Sequence, residues 1–321
     1  MEPLSAPTIE EIRAARDRLA GSAVLRTPLI RLHAVSPSGE IYLKLENLQP
    51  IGSFKLRGAT SAMRLLPRER LARGVYTPSA GNMAQGVAWA AREMGIPASA
   101  VVPDHAPATK LAAIERLGGR IVKVPFPEWW KVMEEHRHPG MEGHFIHPVS
   151  DPAVIAGNGT IGLEIAEDLP DVETVLVPFG GGGLSSGIAS ALRALKPGAR
   201  VWACEVSTAA PLAPSLAAGS PQTVDYTPSF VDGIGSRGLL GEMWPMVRSL
   251  LAGSIVVEVA ATAAAVRLLA ERCRVIAEGA GAVSVAAALT GRAGTGKTVC
   301  VVSGGNIDPD KLAKILSGSA P

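Results

Sequence analysis

The sequence predicts an α/β protein whose parallel sheets are covered by helices on both faces. Short apolar runs alternate with helical stretches along most of the chain, the pattern of repeated strand–crossover–strand units. The runs are rich in Val and Ile and bounded by Gly and Pro, as buried strands are. Of the 321 residues 47% are hydrophobic, enough for one large core or two of moderate size.

Taken in order, "IYLKL" reads as a strand, followed by the turn "QPIGSFKLRGA" around Lys55. "GVYTP", "ASAVV", "GRIVKV" and "HFIHP" read as further strands. Between them lie the helical stretches "GNMAQGVAWAAREMG", "APATKLAAIERLG" and "PEWWKVMEEH". This compact run predicts a small nested domain over 74–150, with 1–73 plus 151–321 as the larger domain. "VETVLVP", "ARVWACE", "GSIVVEV" and "KTVCVVS" then supply strands, with "SSGIASALRALK" and "AATAAAVRLLAERC" as helices between them. Trp129 and Trp130 in "EWWKVMEEH" fit a lid, an interface or a buried helix face.

Charge and patterning exclude several classes. There are 31 basic and 29 acidic residues, formal net charge +2, and no basic block, so nucleic acid is not an expected partner. The long uncharged runs Thr174–Leu192 and Val206–Val224 are broken by four glycines and by Pro211, Pro214 and Pro221, so no membrane span is expected. The acidic N-terminus "MEPLSAPTIEEI" has no apolar core of a signal peptide. Cys204, Cys273 and Cys300 are distant and odd in number, which points to reduced thiols and a cytoplasmic setting.

In open α/β sheets ligands bind beyond the carboxyl ends of the strands. Four loops there are unusual. "PFGGGGLSSG" follows a strand and opens a helix. Its glycines Gly180 to Gly183 let backbone N–H groups turn toward an anion, and the helix N-terminus adds its positive end. A dinucleotide is the rival ligand, since Glu205 ends the next strand where a ribose-binding acid belongs. No register gives G-x-G-x-x-G, however, because Ser185 or Ser186 takes the place of the third glycine. "GRAGTGKT", Gly291 to Thr298, matches a phosphate-loop pattern by letter, but its helix comes before and its strand after, the reverse of what the mechanism needs.

"SAGNMAQG" places Ser79, Gly81 and Asn82 at a helix N-terminus, which suits a carboxylate or an ordinary N-cap. Ser303 in "VVSGGNID" taken alone is a turn residue. Lys55 then gains a context. A lysine beside a phosphate cradle and a carboxylate loop suits Schiff-base chemistry with a cofactor carrying both aldehyde and phosphate, pyridoxal phosphate. A Ser–Lys hydrolase reading of "SFK" lacks its companion motifs.

Four motifs in sequence order, "GSFKLRGA", "SAGNMAQGVA", "VIAGNGTIGLEI" with "PFGGGGL", and "VVSGGN", resemble the pyridoxal-phosphate enzymes of the tryptophan-synthase β-subunit fold, fold type II. Among these the chain is most similar to threonine/serine dehydratases and serine racemases, over nearly its full length. The resemblance implies two open twisted α/β domains with the cofactor in the cleft between them. It implies that Lys55 forms the Schiff base and takes the Cα proton, and that Phe54 lies against the pyridine ring. Asn82 would bond the ring oxygen, Gly180, Gly181, Gly182, Gly183 and Leu184 the phosphate, and Ser303 would face the ring nitrogen. Ser79, Ala80, Gly81, Asn82 and Met83 would form the substrate loop. A homo-oligomer, a dimer, is also implied, without the regulatory C-terminal domain of biosynthetic threonine deaminases.

Departures from the family pattern qualify the substrate. Met83 stands where a histidine is usual, replacing a polar contact with a flexible apolar side chain and favouring a bulkier β-substituent. Ala80 stands where racemases carry a serine base, which favours dehydration. Glu205 and Ala209 remain of a site for Mg²⁺ or a monovalent cation, but Pro211 replaces its aspartate. The expectation is a dehydratase (ammonia-lyase) converting a β-hydroxy-α-amino acid, by default L-threonine or L-serine, to a 2-oxo acid and ammonia. The alternatives are a hydroxyaspartate- or phenylserine-like substrate and an amino-acid racemase. Further off stand an NAD-dependent dehydrogenase and a non-catalytic protein binding cofactor or amino acid.

Overall fold

The computed structural model describes residues 2–33, 39–319 and 321. Its strands are β1 (Leu29–Leu32), β2 (Glu40–Leu45), β3 (Val75–Thr77), β4 (Ala98–Pro103), β5 (Arg120–Val124), β6 (His144–Phe145), β7 (Thr174–Pro178), β8 (Arg200–Val206), β9 (Gly253–Val257) and β10 (Lys297–Val302). They form two sheets, ordered β1-β2-β10-β7-β8-β9 and β5-β4-β3-β6. Helices α1 (Ile9–Leu19), α2 (Lys55–Leu65), α3 (Arg68–Leu71), α4 (Asn82–Met94), α5 (Ala108–Arg116) and α6 (Phe126–Glu135) precede α7 (Pro152–Asp168) and α8 (Gly183–Leu195). Then come α9 (Leu212–Ala218), α10 (Trp244–Leu250), α11 (Val259–Leu268), α12 (Gly279–Ala288) and α13 (Pro309–Leu316). No helix of the described residues is long and apolar enough to cross a membrane.

Among the described residues the strands pair in parallel except at one edge, where β1 runs antiparallel to β2 from Leu29↔Lys44 to Leu32↔Ile41. The expectation of parallel sheets fails there for a simple reason. The connection 33–39 is too short for the crossover of about a dozen residues that a parallel pair needs. Every strand of the smaller sheet falls between Val75 and Phe145. Helix α2 precedes that stretch yet packs with it, since Ala59, Ala62 and Met63 share an apolar cluster with Val75, Met83 and Val87.

The glycines of "VIAGNGTIGLEI" have a packing role. On α7, a Cβ at Gly157 would lie 2.8 Å from the Arg57 carbonyl oxygen of α2. On the facing helix, a Cβ at Gly187 would lie 2.3 Å from the Ile155 carbonyl oxygen of α7. Helices α2 and α8 therefore each meet α7 backbone to backbone, which anchors both to the same helix.

A buried ion network ties this helix layer to β2. The Arg57 guanidinium donates to Glu46 (Nη2 to Oε1, 2.8 Å) and to Glu164 (Nη1 to Oε1, 2.6 Å). Lys44 donates to Glu164 at 2.6 Å and to the Thr27 carbonyl at 2.6 Å. All four charged side chains are buried. Burial alone would raise the Glu46 carboxyl, but the Arg57 charge and hydrogen bonds outweigh it and hold it below its usual value.

Replacing Arg57 with Leu leaves two buried carboxylates short of a cation, with an expected cost of about 3–5 kcal/mol. Arg57→Lys recovers little, because one ammonium cannot bridge both carboxylates through a planar fork. Urea unfolding of the cofactor-free protein measures both.

Candidate active site

The four unusual loops all leave carboxyl ends of parallel strands and meet at one cavity of about 710 Å³. Phe54, Lys55, Ser79, Ala80, Gly81, Asn82, Met83, Gly180, Gly181, Gly182, Gly183, Leu184 and Ser303 all line it. Residues far apart in the chain thus converge on a single space.

The Lys55 turn is held by the last strand's loop. Phe54 N–H donates to the Ser303 carbonyl (3.0 Å) and Gly305 N–H to the Gly52 carbonyl (2.9 Å). The Lys55 Nζ lies 5.1 Å from the Phe54 ring centroid and donates to the Pro148 carbonyl at 2.6 Å. Desolvation in this lining lowers the Lys55 pKa to about 8, so a neutral amine is accessible near physiological pH.

Between β7 and α8 the chain turns through Gly182 at φ 94°, a left-handed conformation that glycine adopts without strain. Among the described residues the backbone N–H groups of Gly180 to Leu184 meet no acceptor. A Cβ at Gly181 would lie 2.6 Å from a Val149 methyl, so the cradle is closed on that side. Unspent donors at a helix N-terminus are an anion site, and the residues present fit the phosphate of pyridoxal phosphate.

Helix α4 begins at Gly81 with no side-chain cap. The ordinary N-cap reading therefore fails. The Ser79 hydroxyl instead accepts from Gly81 N–H (3.2 Å), and the N–H groups of Asn82 to Ala84 meet no acceptor among the described residues. The Asn82 amide donates to Glu278 Oε1 (2.8 Å) and accepts from the Asn306 amide (2.8 Å), which also donates to the Ile51 carbonyl (2.8 Å). Met83 borders the cavity, yet it is 1% exposed and its side chain packs with Ala59 and Met63. Ser303 Oγ has only a long contact to the Ala280 carbonyl, 3.4 Å.

Glu205 and Ala209 do not line the cavity. Glu205 Oε1 accepts from Leu212 N–H (2.8 Å), and Oε2 accepts from Ala213 N–H (3.0 Å) and the Ser254 hydroxyl (2.6 Å). Both oxygens cap α9, in the segment where Pro211 replaces the expected aspartate. These residues do not fit a bound cation, and among the described residues no group of three or more His, Cys, Asp or Glu is arranged to hold a metal. The same hydrogen bonds keep Glu205 from a ribose hydroxyl, which removes the main support for a nicotinamide cofactor. The phosphate-loop look-alike at 291–298 follows α12 and runs into the start of β10, in the inverted context its sequence predicts.

Sequence reasoning missed Glu278. It lines the cavity, and burial, with Asp232 adding, raises its carboxyl to about 7 despite the Asn82 hydrogen bond. An acid heading the otherwise apolar helix "GAGAVSVAAA" was the available signal. Trp129 and Trp130 are half-buried and line the cavity together with Phe126 and Met133, so α6 supplies an apolar wall.

The sequence profile of the family described as "Pyridoxal-phosphate dependent enzyme" matches residues 21–305. The chain belongs to this family. It is 41% identical to the L-threonine ammonia-lyase of Thermotoga maritima, covering 97% of this chain and 78% of that protein. It is 38% identical to the catabolic L-threonine dehydratase TdcB of Escherichia coli, covering 96% and 95%. Maize serine racemase superposes with a TM-score of 0.88 at 35% identity over 98% of both chains. The two sheets match the fold type II architecture.

Glu278 generates a pH test. Its folded-state pKa lies above its ordinary value of 4.5, so the native chain holds the proton more tightly than the unfolded chain. That stabilisation is full below about pH 4.5 and lost as pH rises through about 7. The Tm of the cofactor-free protein minus that of Glu278→Gln is expected to fall across this window, and calorimetry over a pH series reads it.

Proposed function

We propose that the chain is a pyridoxal-phosphate dependent lyase that converts a β-hydroxy-α-amino acid, L-threonine or L-serine by default, to a 2-oxo acid and ammonia. The observation that carries this reading is Lys55, a depressed-pKa amine in the same cavity as two helix N-termini with unspent N–H donors. The relatives named threonine ammonia-lyase and dehydratase support it.

Bound here, pyridoxal phosphate supplies an aldehyde for the amine and a ring that draws electron density from the substrate Cα. The N–H groups of Gly180 to Leu184 would hold its phosphate, with Phe54 and Asn82 of the same cavity lining beside the ring. Ser303 would offer the ring nitrogen a neutral hydroxyl rather than a carboxylate, which suits elimination. Ser79, Gly81 and Asn82, with the open N–H groups of α4, orient the substrate carboxylate. Lys55 takes the Cα proton as general base. Ala80 offers no hydroxyl on the opposite face, so racemisation lacks its second base. The division into a 74–150 unit and a larger remainder, a dimeric assembly and a cytoplasmic setting belong to the same proposal. So does independence from Mg²⁺, since Glu205 is occupied by protein donors.

A second reading concerns the substrate alone. The apolar face of α6 favours a β-substituent larger than a methyl group, as in phenylserine.

Lys55→Ala is expected to lower turnover by about 10²–10⁴-fold and to lose the visible absorbance band of the lysine Schiff base after cofactor loading. Release of 2-oxo acid across β-hydroxy amino acids of both configurations tests the reaction class. Fast release from L-threonine or L-serine supports the default, and release only from phenylserine supports the second reading. Silence across the panel in a yellow holoenzyme overturns the assignment. Rates with Mg²⁺ and with a chelator are expected to agree within about twofold, and a larger gap overturns the cation independence.

A further inference from the structure

The segment between β6 and α7 carries the carbonyl that receives Lys55, and it is shaped by a histidine with no assigned role. His147 is 2% exposed. Its Nδ1 accepts N–H bonds from Val149 (3.0 Å) and Ser150 (2.7 Å), and the Ser150 hydroxyl lies 3.0 Å from the same nitrogen. Its Nε2 lies 3.2 Å from the Met133 carbonyl at the end of α6. A carbonyl only accepts, so Nε2 carries the proton and Nδ1 presents its lone pair to the N–H groups. The network thus selects one neutral tautomer. Burial, with His136 adding, pushes the imidazole down to about 3, in agreement with this geometry.

His136 extends the network. Its ring lies 4.3 Å from that of His147, and its Nε2 lies 3.2 Å from Ser150 Oγ and 3.4 Å from Glu242 Oε1. His144 of β6 and Asp151 before α7 are the other titratable side chains flanking the segment. Asp151 caps α7 by accepting from Ala153 and Val154 N–H. The segment is therefore closed by side-chain acceptors at both ends, with Pro148 between them.

We propose that His147 is a positioning residue for Lys55. Its neutral imidazole gathers the Val149 and Ser150 N–H groups into a tight turn, and that turn aims the Pro148 carbonyl into the cavity. The carbonyl then holds the Lys55 Nζ at 2.6 Å, in the place the free amine occupies when it is not bonded to a cofactor. Without it the buried ammonium loses its hydrogen-bond acceptor, and the amine has no fixed position. The inference rests on the proposed role of Lys55 as the base, because positioning matters for catalysis only if Lys55 moves the proton.

Three substitutions separate positioning from general stability. His147→Asn keeps an acceptor near the Nδ1 position and loses the Met133 bond. His147→Gln keeps a donor for the Met133 carbonyl and loses the Nδ1 acceptor. His147→Leu loses both. The expected result is a kcat near wild type for Asn, and a kcat lowered about tenfold or more for Gln and Leu with KM for the amino acid little changed. A second readout needs no turnover: the pH dependence of Lys55 labelling by trinitrobenzenesulfonate in cofactor-free protein, followed by peptide mapping. Gln and Leu are expected to shift the midpoint below that of wild type, because the carbonyl that favours the ammonium is lost, and Asn to leave it in place. If Leu fails to fold, the Asn–Gln pair decides. Equal kcat and equal labelling profiles for Asn and Gln overturn the proposal. If the wild-type holoenzyme releases no 2-oxo acid from any substrate, the functional reading has failed, and the labelling profiles still decide whether His147 positions Lys55.

Discussion

The cavity depends on how α2 starts. Lys55 and Arg57 flank Leu56, and the helix turns them in different directions. Arg57 is buried between Glu46, just after β2, and Glu164 of α7. That forked contact fixes the rotation of the helix about its own axis. With Arg57 locked into the ion network, Lys55 faces the cavity. Close packing of α2, α7 and α8 through glycines then sets how far the lysine stands from the glycine cradle at the start of α8.

The electrostatics of the cavity follow from its architecture. Parallel strands deliver their carboxyl ends to one side, and the helices after them begin there. The starts of α4 and α8 therefore present N–H groups without acceptors, a positive lining suited to an anionic cofactor and an anionic substrate. Glu278 is the counterweight. It lies against Asn82, in surroundings that keep it from ionising readily. Lys55 is likewise held away from its ordinary charge state by desolvation. An acid raised to about 7 and an amine lowered to about 8 share one lining, both shifted chiefly by desolvation.

Much of this was legible in the chain. Strand–helix alternation located β2 through β10 because buried parallel strands are short and apolar and their helices amphipathic. The glycine run announced a cradle because no other residue permits that turn beside exposed backbone donors. The antiparallel edge strand β1 was not legible, since "LIRL" carries no signal of direction and only the short connection after it decides the pairing. Glu205 misled as a metal ligand and as a ribose acid. Its type and position at a strand end fit both, and only the three donors around its carboxylate show that it caps α9.

By itself the sequence determined the fold class, the cofactor chemistry and the loops that would meet, because these reside in local pattern and in motifs with strict backbone demands. Only the tertiary structure decided the partners of those loops. Pro148 and His147 lie far along the chain from Lys55, and Asn82 lies far from Glu278 and Asn306. Such contacts depend on the register of two sheets and on the approach of helices. A hydrogen bond is sensitive to tenths of an ångström, and no residue type or spacing encodes a distance of that kind between segments so remote in sequence.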